Sequence, residues 1–243
     1  MQPKEWQKLA IGAVVIGGFA LADEPVQRFA VDLRKRNPWI SNLSRFVTNT
    51  GGPYEAITLG LMAGYGIIFK NEKLKTTALL SSQSYITSAA IQSILKGITG
   101  RQRPFVYYPD QVEIEPKFHG PFHSPFHDIN GKRITSSFPS GHTTGAFAAA
   151  TVFAMEYRDR PLVKIIAYGT ASLIGLSRIT ENKHWVSDVL AGAALGLLSG
   201  RQVVNNYHRY ATIQNARKKK GSISFNITYQ SGLVLPQAVY TFR

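Results

Sequence analysis

The sequence predicts an all-α protein, a six-helix bundle that ends in a short C-terminal β-hairpin. Six apolar segments carry the first part of that expectation, near residues 6–22, 55–69, 76–96, 142–156, 162–177 and 188–206. They are rich in Ala, Leu, Ile and Gly and lack the strict alternation of strands. The tail then changes period. Ile223, Phe225, Ile227 and Tyr229 fall on one face of an alternating run, a second extended run covers 233–242, and Ser231-Gly232 sits between them as a turn. The 243 residues suffice for one sizeable core. The expected organisation is a helical domain over 1–206, followed by a basic connector and hairpin over 207–243.

Each element has its own signal. Lys4 and Lys8 precede an apolar run from Leu9 to Ala22, a pattern shared with signal peptides, but Asp23-Glu24-Pro25 makes a poor cleavage site. The run therefore reads as the first structural helix of a mature domain. The third segment is the most polar, with Ser81, Ser82, Gln83, Ser84, Ser88, Gln92 and Ser93 among its apolar positions. In the sixth, Gly192, Gly196 and Gly200 fall four apart, a stripe along which another helix can approach closely. Between the third and fourth segments, residues 101–139 hold five prolines from Pro104 to Pro125, and loops of that length are usually functional or disordered.

A bilayer span needs about 20 predominantly apolar residues. Most segments here meet a charge after roughly 12–15 residues, the third carries many hydroxyls and amides, and the mean hydropathy is −0.09. The sequence-level expectation is a soluble or peripherally bound bundle rather than an integral membrane protein. If the segments did span with the N-terminus inside, the motifs described below would face outside. An extracytoplasmic site in the cell envelope is expected either way.

Composition narrows the chemistry. Lys plus Arg number 28 against 14 acidic residues, a formal charge of +14 that favours anionic partners such as phosphorylated metabolites, acidic headgroups or nucleic acid. The absence of cysteine excludes disulfides and thiolate metal sites. The basic residues are spread rather than clustered with aromatics, which argues against nucleic acid.

Three clusters carry the reactive residue types. Lys96 and Arg103-Pro104 end the third segment, Pro139-Ser140-Gly141-His142 opens the fourth, and Ser177-Arg178, His184 and Asp188 link the fifth to the sixth. An up-and-down bundle brings all three to one end. Lys96, Arg103 and Arg178 would repel one another there unless an anion joined them, and a tetrahedral oxyanion suits the donor forks of arginine. Backbone N–H groups around Ser140 and Gly141 begin a helix, which attracts anions. His184 and Asp188 lie one helical turn apart, so the carboxylate is expected to bind one ring nitrogen and leave the other free for attack. His142 would protonate the departing oxygen.

Lys-x6-Arg-Pro, Pro-Ser-Gly-His and Ser-Arg-x5-His-x3-Asp, in this order, resemble the signature of the type 2 phosphatidic acid phosphatase family. Its superfamily includes bacterial non-specific acid phosphatases, glucose-6-phosphatase and vanadium haloperoxidases. The resemblance covers roughly residues 6–206 and implies a helical bundle of the phosphatase and haloperoxidase kind. It also implies a phosphohistidine mechanism without metal, with His184 as nucleophile, Asp188 as its partner and His142 as general acid. Lys96, Arg103, Ser140, Gly141 and Arg178 become phosphate ligands. The implied substrate is a lipid phosphate or a small phosphate ester, no cofactor is expected, and vanadate or phosphate could occupy the site.

Two other functions are weighed. A vanadium-dependent haloperoxidase would use the same residues, but members of that kind are much longer. A non-catalytic binder of anionic lipids would not need His184 aligned with Asp188. His119, His123 and His127 recur every four residues, yet Pro121 and Pro125 break any helix that would align them for a metal, which leaves a pocket rim or plain loop. The Arg217 to Lys220 run reads as a solvated connector, with contact to an anionic membrane surface the next choice.

Overall fold

Seven helices and two strands lie among the residues that the computed structural model describes, namely 12, 17–50, 53–104, 116–121, 135–219, 222–230 and 233–241. The helices are α1 (Asp23–Arg36), α2 (Pro38–Thr50), α3 (Pro53–Ile68), α4 (Glu72–Thr99), α5 (Gly141–Glu156), α6 (Pro161–Thr180) and α7 (Val186–Lys219), and the strands are β1 (Ser222–Gln230) and β2 (Leu233–Thr241). By compactness the chain divides into Met1–Val203, which contains every candidate site residue, and Val204–Arg243. In the second unit β1 and β2 pair antiparallel, Ser222 opposite Thr241 and Gln230 opposite Leu233. The turn residues Ser231 and Gly232 lie outside the described residues, as do most of segment 6–22, Lys220 and most of the 101–139 connection.

Helices α3 to α7 correspond to the last five apolar segments, but α1 and α2 are additions to the expected six. A search for apolar runs passes over them because their apolar residues occupy one face only. α1 carries Asp23 and Glu24 in its first turn and Arg34, Lys35 and Arg36 in its last, a charge distribution that complements the helix dipole. α2 starts at Pro38, where the missing N–H costs nothing. The sixth expected segment is also too short. It continues as α7 to Lys219, so most of the stretch expected from 207 as a connector is helical.

Local signals set the ends of the helices that frame the site. Asn71 caps α4, its side-chain oxygen accepting from the Leu74 N–H at 3.0 Å. At the other end Gly100 adopts φ 53° and its N–H donates to the Lys96 carbonyl at 3.0 Å, the left-handed stop that glycine tolerates best. The chain thereby turns sharply between Lys96 and Arg103. Pro161 occupies the first position of α6.

α5 is the central helix. Ten of its 16 residues are buried, mostly Ala and Thr, which lets its neighbours approach on several sides. The glycine stripe of α7 lies against it. A Cβ on Gly192 would stand 2.6 Å from the Ser140 carbonyl oxygen, one on Gly200 2.7 Å from that of Ala148, and one on Gly196 would collide with that of Thr144. On the opposite side Ala146 and Ala150 pack with Ala171 and Ile174 of α6.

The outer surface is unusually apolar. Ile57, Leu61, Ile67 and Ile68 on α3, Leu79, Ile86, Ile94 and Ile98 on α4, and Leu162, Ile165, Ile166, Leu173 and Leu176 on α6 are all exposed. Thr77, Ser81, Ser84 and Ser88 of α4 point inward and are fully buried. Ser81, Ser84 and Ser88, part of what gave the third segment its polar composition, are therefore hidden, while Gln83 and Ser93 stay on the surface among the isoleucines. Among the described residues one helix, Pro161–Thr180, is long and apolar enough to cross a membrane, and Tyr54–Ile68 is a shorter apolar helix.

The stripe makes a graded prediction. Gly200→Ala should lower stability by about 1–3 kcal/mol through overpacking, and Gly196→Val should prevent folding. Gly169→Ala, where a Cβ meets open space, should be neutral or raise stability by up to about 1 kcal/mol. Thermal unfolding in detergent would rank the three.

Candidate active site

A buried cation organises the end of the bundle where the motifs meet. Arg101, 1% exposed, donates from Nη1 to Asp188 Oδ1 and to Ser187 Oγ, each at 2.6 Å, and from Nη2 to Asp23 Oδ2. Asp23, the first residue of α1, also accepts from the Ser187 N–H at 2.8 Å and from the Ser187 hydroxyl at 2.6 Å. Asp188 in turn accepts from the Ser137 hydroxyl and, at 2.9 Å, from the Trp185 N–H. The last bond is half of a capping box at the start of α7. The Arg101 carbonyl accepts from the Ser137 N–H at 2.9 Å, and the Asp188 carbonyl from the Ser140 N–H at 3.0 Å. One guanidinium thus joins α1, the turn after α4, the segment before α5 and the start of α7.

His184 is fixed by this frame, though not as its spacing from Asp188 led us to expect. Its Nδ1 lies 2.8 Å from the Ser137 carbonyl oxygen, whereas Asp188 Oδ2 stands 3.6 Å away. A carbonyl can only accept, so Nδ1 carries the proton and Nε2 keeps its lone pair. Asp188 acts one step removed, by holding Ser137 and the Trp185 backbone in place. The carboxylate did not bind the ring because Arg101, Ser137 and Trp185 already occupy its oxygens.

The ring lines a cavity of about 450 Å³ together with Lys96, Arg103, Gly141, His142, Arg178, Lys183, Tyr85, Gln92 and Gly145. Arg103 is held from behind: Nε donates to Ser136 Oγ and Nη2 to the Ser136 carbonyl, both at 3.2 Å. Arg178 Nη1 donates to Thr48 Oγ1 of α2 at 3.3 Å and to Glu181 Oε2 at 3.5 Å. Thr48 is steadied by the Ser177 hydroxyl at 2.8 Å. The first backbone bond within α5 runs from the Thr144 N–H to the Ser140 carbonyl at 2.9 Å, so the N–H groups of Gly141 and His142 lie ahead of the ladder, as at any helix start. Ser140 is fully buried. Its N–H donates to the Asp188 carbonyl and its hydroxyl accepts from Thr143 Oγ1 at 2.9 Å, bonds that fix the turn into α5.

Electrostatics follow from this crowding. Burial, with Arg103, Lys96 and Arg178 nearby, holds the His184 imidazole well below its ordinary pKa. Burial and then Arg178, Lys96 and Arg103 bring His142 down to about 4. Arg103 is lowered to about 10 by burial and the adjacent Arg178, and so keeps its charge at neutral pH. The cavity is therefore a cationic cradle with two neutral imidazoles, a combination that receives an oxyanion and can both attack it and transfer a proton to it.

The structure brings together Lys96, Arg103, Gly141, His142, Arg178 and His184, with Asp188 and Ser140 directly behind them. Residues that sequence reasoning missed are Asp23, Thr48, Arg101, Ser136, Ser137 and Lys183. Arg101 and Lys183 offered a signal, since each stands within a motif. Ser137 acts through its carbonyl, which no side chain announces. Of the three spaced histidines, His119 lies within the described residues, its Nε2 3.3 Å from Gln102 Oε1; His123 and His127 lie outside them.

A helical frame presenting such a cradle defines a phosphoryl-handling enzyme. The family model for the PAP2 superfamily matches residues 77–211, and the chain belongs to that superfamily and is a phosphoric ester hydrolase. A stretch of 66 residues is 54% identical to the lipid A 1-phosphatase of Porphyromonas gingivalis, spanning 27% of this chain and 15% of that protein. Phosphatidylglycerophosphatase B of Bacillus subtilis is 29% identical over 185 residues, 73% of this chain and 79% of that protein. The crystal structure of a transmembrane PAP2 type phosphatidylglycerolphosphate phosphatase from Bacillus subtilis shares the fold, with a TM-score of 0.59 at 24% identity over 82% of this chain and 96% of that one.

Arg101→Met should cost about 3–5 kcal/mol, because it strands two buried carboxylates. Arg28→Met, which removes an exposed pair with Glu24, should cost no more than about 1 kcal/mol. Denaturant unfolding of both variants compares the two ion pairs directly.

Proposed function

We propose that this protein hydrolyses lipid phosphate monoesters through a phosphohistidine, with no metal ion in the reaction. The observation that carries the reading is the pairing of His184 Nδ1 with the Ser137 carbonyl, which leaves the Nε2 lone pair on a ring that lines the cationic cavity. Lys96, Arg103 and Arg178 neutralise the phosphate oxygens, and the N–H groups of Gly141 and His142 add donors at the start of α5. Nε2 attacks phosphorus as the bond to the leaving oxygen breaks, and His142 gives that oxygen its proton. Water then attacks the phosphorus of the phosphohistidine. Its proton passes to His142, the P–N bond returns its electron pair to Nε2, and inorganic phosphate leaves.

The names of the relatives support a phosphorylated lipid as substrate. The apolar exterior of α3, α4 and α6 supports embedding of the helical unit in a membrane, which reverses the preference for a soluble or peripheral bundle drawn from segment length and composition. The active end then lies at the membrane surface, on the extracytoplasmic side in our reading. Vanadate would occupy the cradle as a competitor of phosphate.

Three measurements test the proposal. Release of inorganic phosphate should persist in excess chelator, and loss of activity there would refute the metal-free route. His184→Ala should lower the rate about 10³-fold or more, and His142→Ala about 10²–10⁴-fold. The protein should stay in the pellet after alkaline extraction of membranes and be released by detergent.

The pH dependence follows from the two histidines. Attack requires neutral His184, whose lowered pKa places the acid limb of kcat/KM below about 6.5. With the His142 imidazole neutral, the proton needed by the leaving group arrives with the substrate monoanion. A phosphate monoester loses that proton near pH 6, so kcat/KM should fall as pH rises above about 6. A rate that climbed from pH 6 to 9 would contradict this proton inventory.

A further inference from the structure

A second cavity, of about 460 Å³, runs along α3, α5 and α6. Leu59, Met62, Ala146, Ala150, Val163 and Ala167 are among its walls, and among the described residues Glu55 is its one ionisable lining residue. Glu55 is 9% exposed, and among the described residues neither carboxyl oxygen has a hydrogen-bond partner. A buried carboxyl without a partner is costly to keep, so its presence calls for a ligand.

The same side chain packs against residues that line the catalytic cavity. A Cβ built on Gly145 would lie 3.0 Å from Glu55 Oε2 and 2.6 Å from the Tyr85 ring. Gly145 and Tyr85 line the cationic cavity, while the next residue of α5, Ala146, lines the apolar one. Glu55 therefore stands in the wall between a site for phosphate and a groove suited to hydrocarbon, and glycine at 145 leaves that wall thin.

We propose that Glu55 is a specificity-determining residue: it accepts hydrogen bonds from hydroxyl or amide donors in the linker of a lipid phosphate whose phosphate fills the cationic cradle and whose acyl chain lies in the α3–α5–α6 groove. The inference rests on the phosphatase reading above and adds a route for the rest of the substrate. The groove's occupant follows from its adjacency to the cradle across Gly145, because a lipid phosphate joins an anion, a short polar linker and a hydrocarbon chain in that order. The groove's apolar walls match the chain, and the unpartnered carboxyl matches the linker.

The experiment compares kcat/KM for phosphatidylglycerophosphate, which has a glycerol hydroxyl near its terminal phosphate, with phosphatidic acid of the same acyl chains, which has none, and with glycerol 3-phosphate, which has no chain. Glu55→Leu should lower the ratio of the first to the second about tenfold, through KM, and Glu55→Gln should recover most of it. Ala167→Phe, which narrows the groove, should lower the ratio of phosphatidic acid to glycerol 3-phosphate about tenfold. Equal losses on all three substrates, or ratios that do not move, would overturn the proposal while leaving the phosphatase reading intact. Absence of phosphate release from any of them by the unmodified protein would overturn both. Ala167→Phe leaves Glu55 in place, so an unmoved ratio there is decisive even if Glu55→Leu does not fold.

Discussion

Arg101 lies between Asp23 and Asp188, almost wholly out of water, and the reactive end of the molecule is built around that triad. Two carboxylates around one guanidinium would be a poor source of stability by themselves, since desolvating ions is expensive. Their contribution is positional. The carboxylate oxygens also accept from other groups: Asp23 takes the Ser187 backbone and hydroxyl, and Asp188 takes Ser137 and Trp185. These bonds hold four chain segments in register, and the Ser137 carbonyl meets His184 as a result. A shift of any partner would uncouple the imidazole from its tautomer-fixing acceptor.

Against that rigid frame the cavity is rich in cations. Lys96, Arg103, Arg178 and Lys183 face it, whereas Asp188 is consumed by Arg101 and Glu181 stands beside Arg178. Burial first, and the surrounding positive charge second, keep both histidines neutral until an anion enters. Substrate is thus part of the charge balance of its own site. The apolar exterior and the groove beside Glu55 extend the same logic outward, from an anion at the bundle's end to hydrocarbon along its flank.

Much of this was readable from the chain alone. Apolar runs gave helices α3 to α7 to within a few residues at most ends, and the fourfold glycine spacing in α7 marked its close approach to α5. Lys96, Arg103, His142, Arg178 and His184 could be gathered at one end because alternating helix directions leave them no other place to meet. α1 and α2 were illegible to the same reading. They are amphipathic and polar overall, and their value to the site, Asp23 under Arg101 and Thr48 under Arg178, exists only between elements far apart in sequence.

The division between the two sources of information has a physical basis. Sequence by itself determined which residue types stand at helix ends and in what order, since helical period and spacing are local properties. It therefore determined the cationic, two-histidine chemistry. Tertiary structure decided what each polar group touches: that a backbone carbonyl rather than Asp188 orients His184, that Ser140 is buried, and that Thr77, Ser81, Ser84 and Ser88 of α4 are hidden while its isoleucines face out. Those outcomes depend on competition among neighbours brought together by packing, and no single segment contains all the competitors.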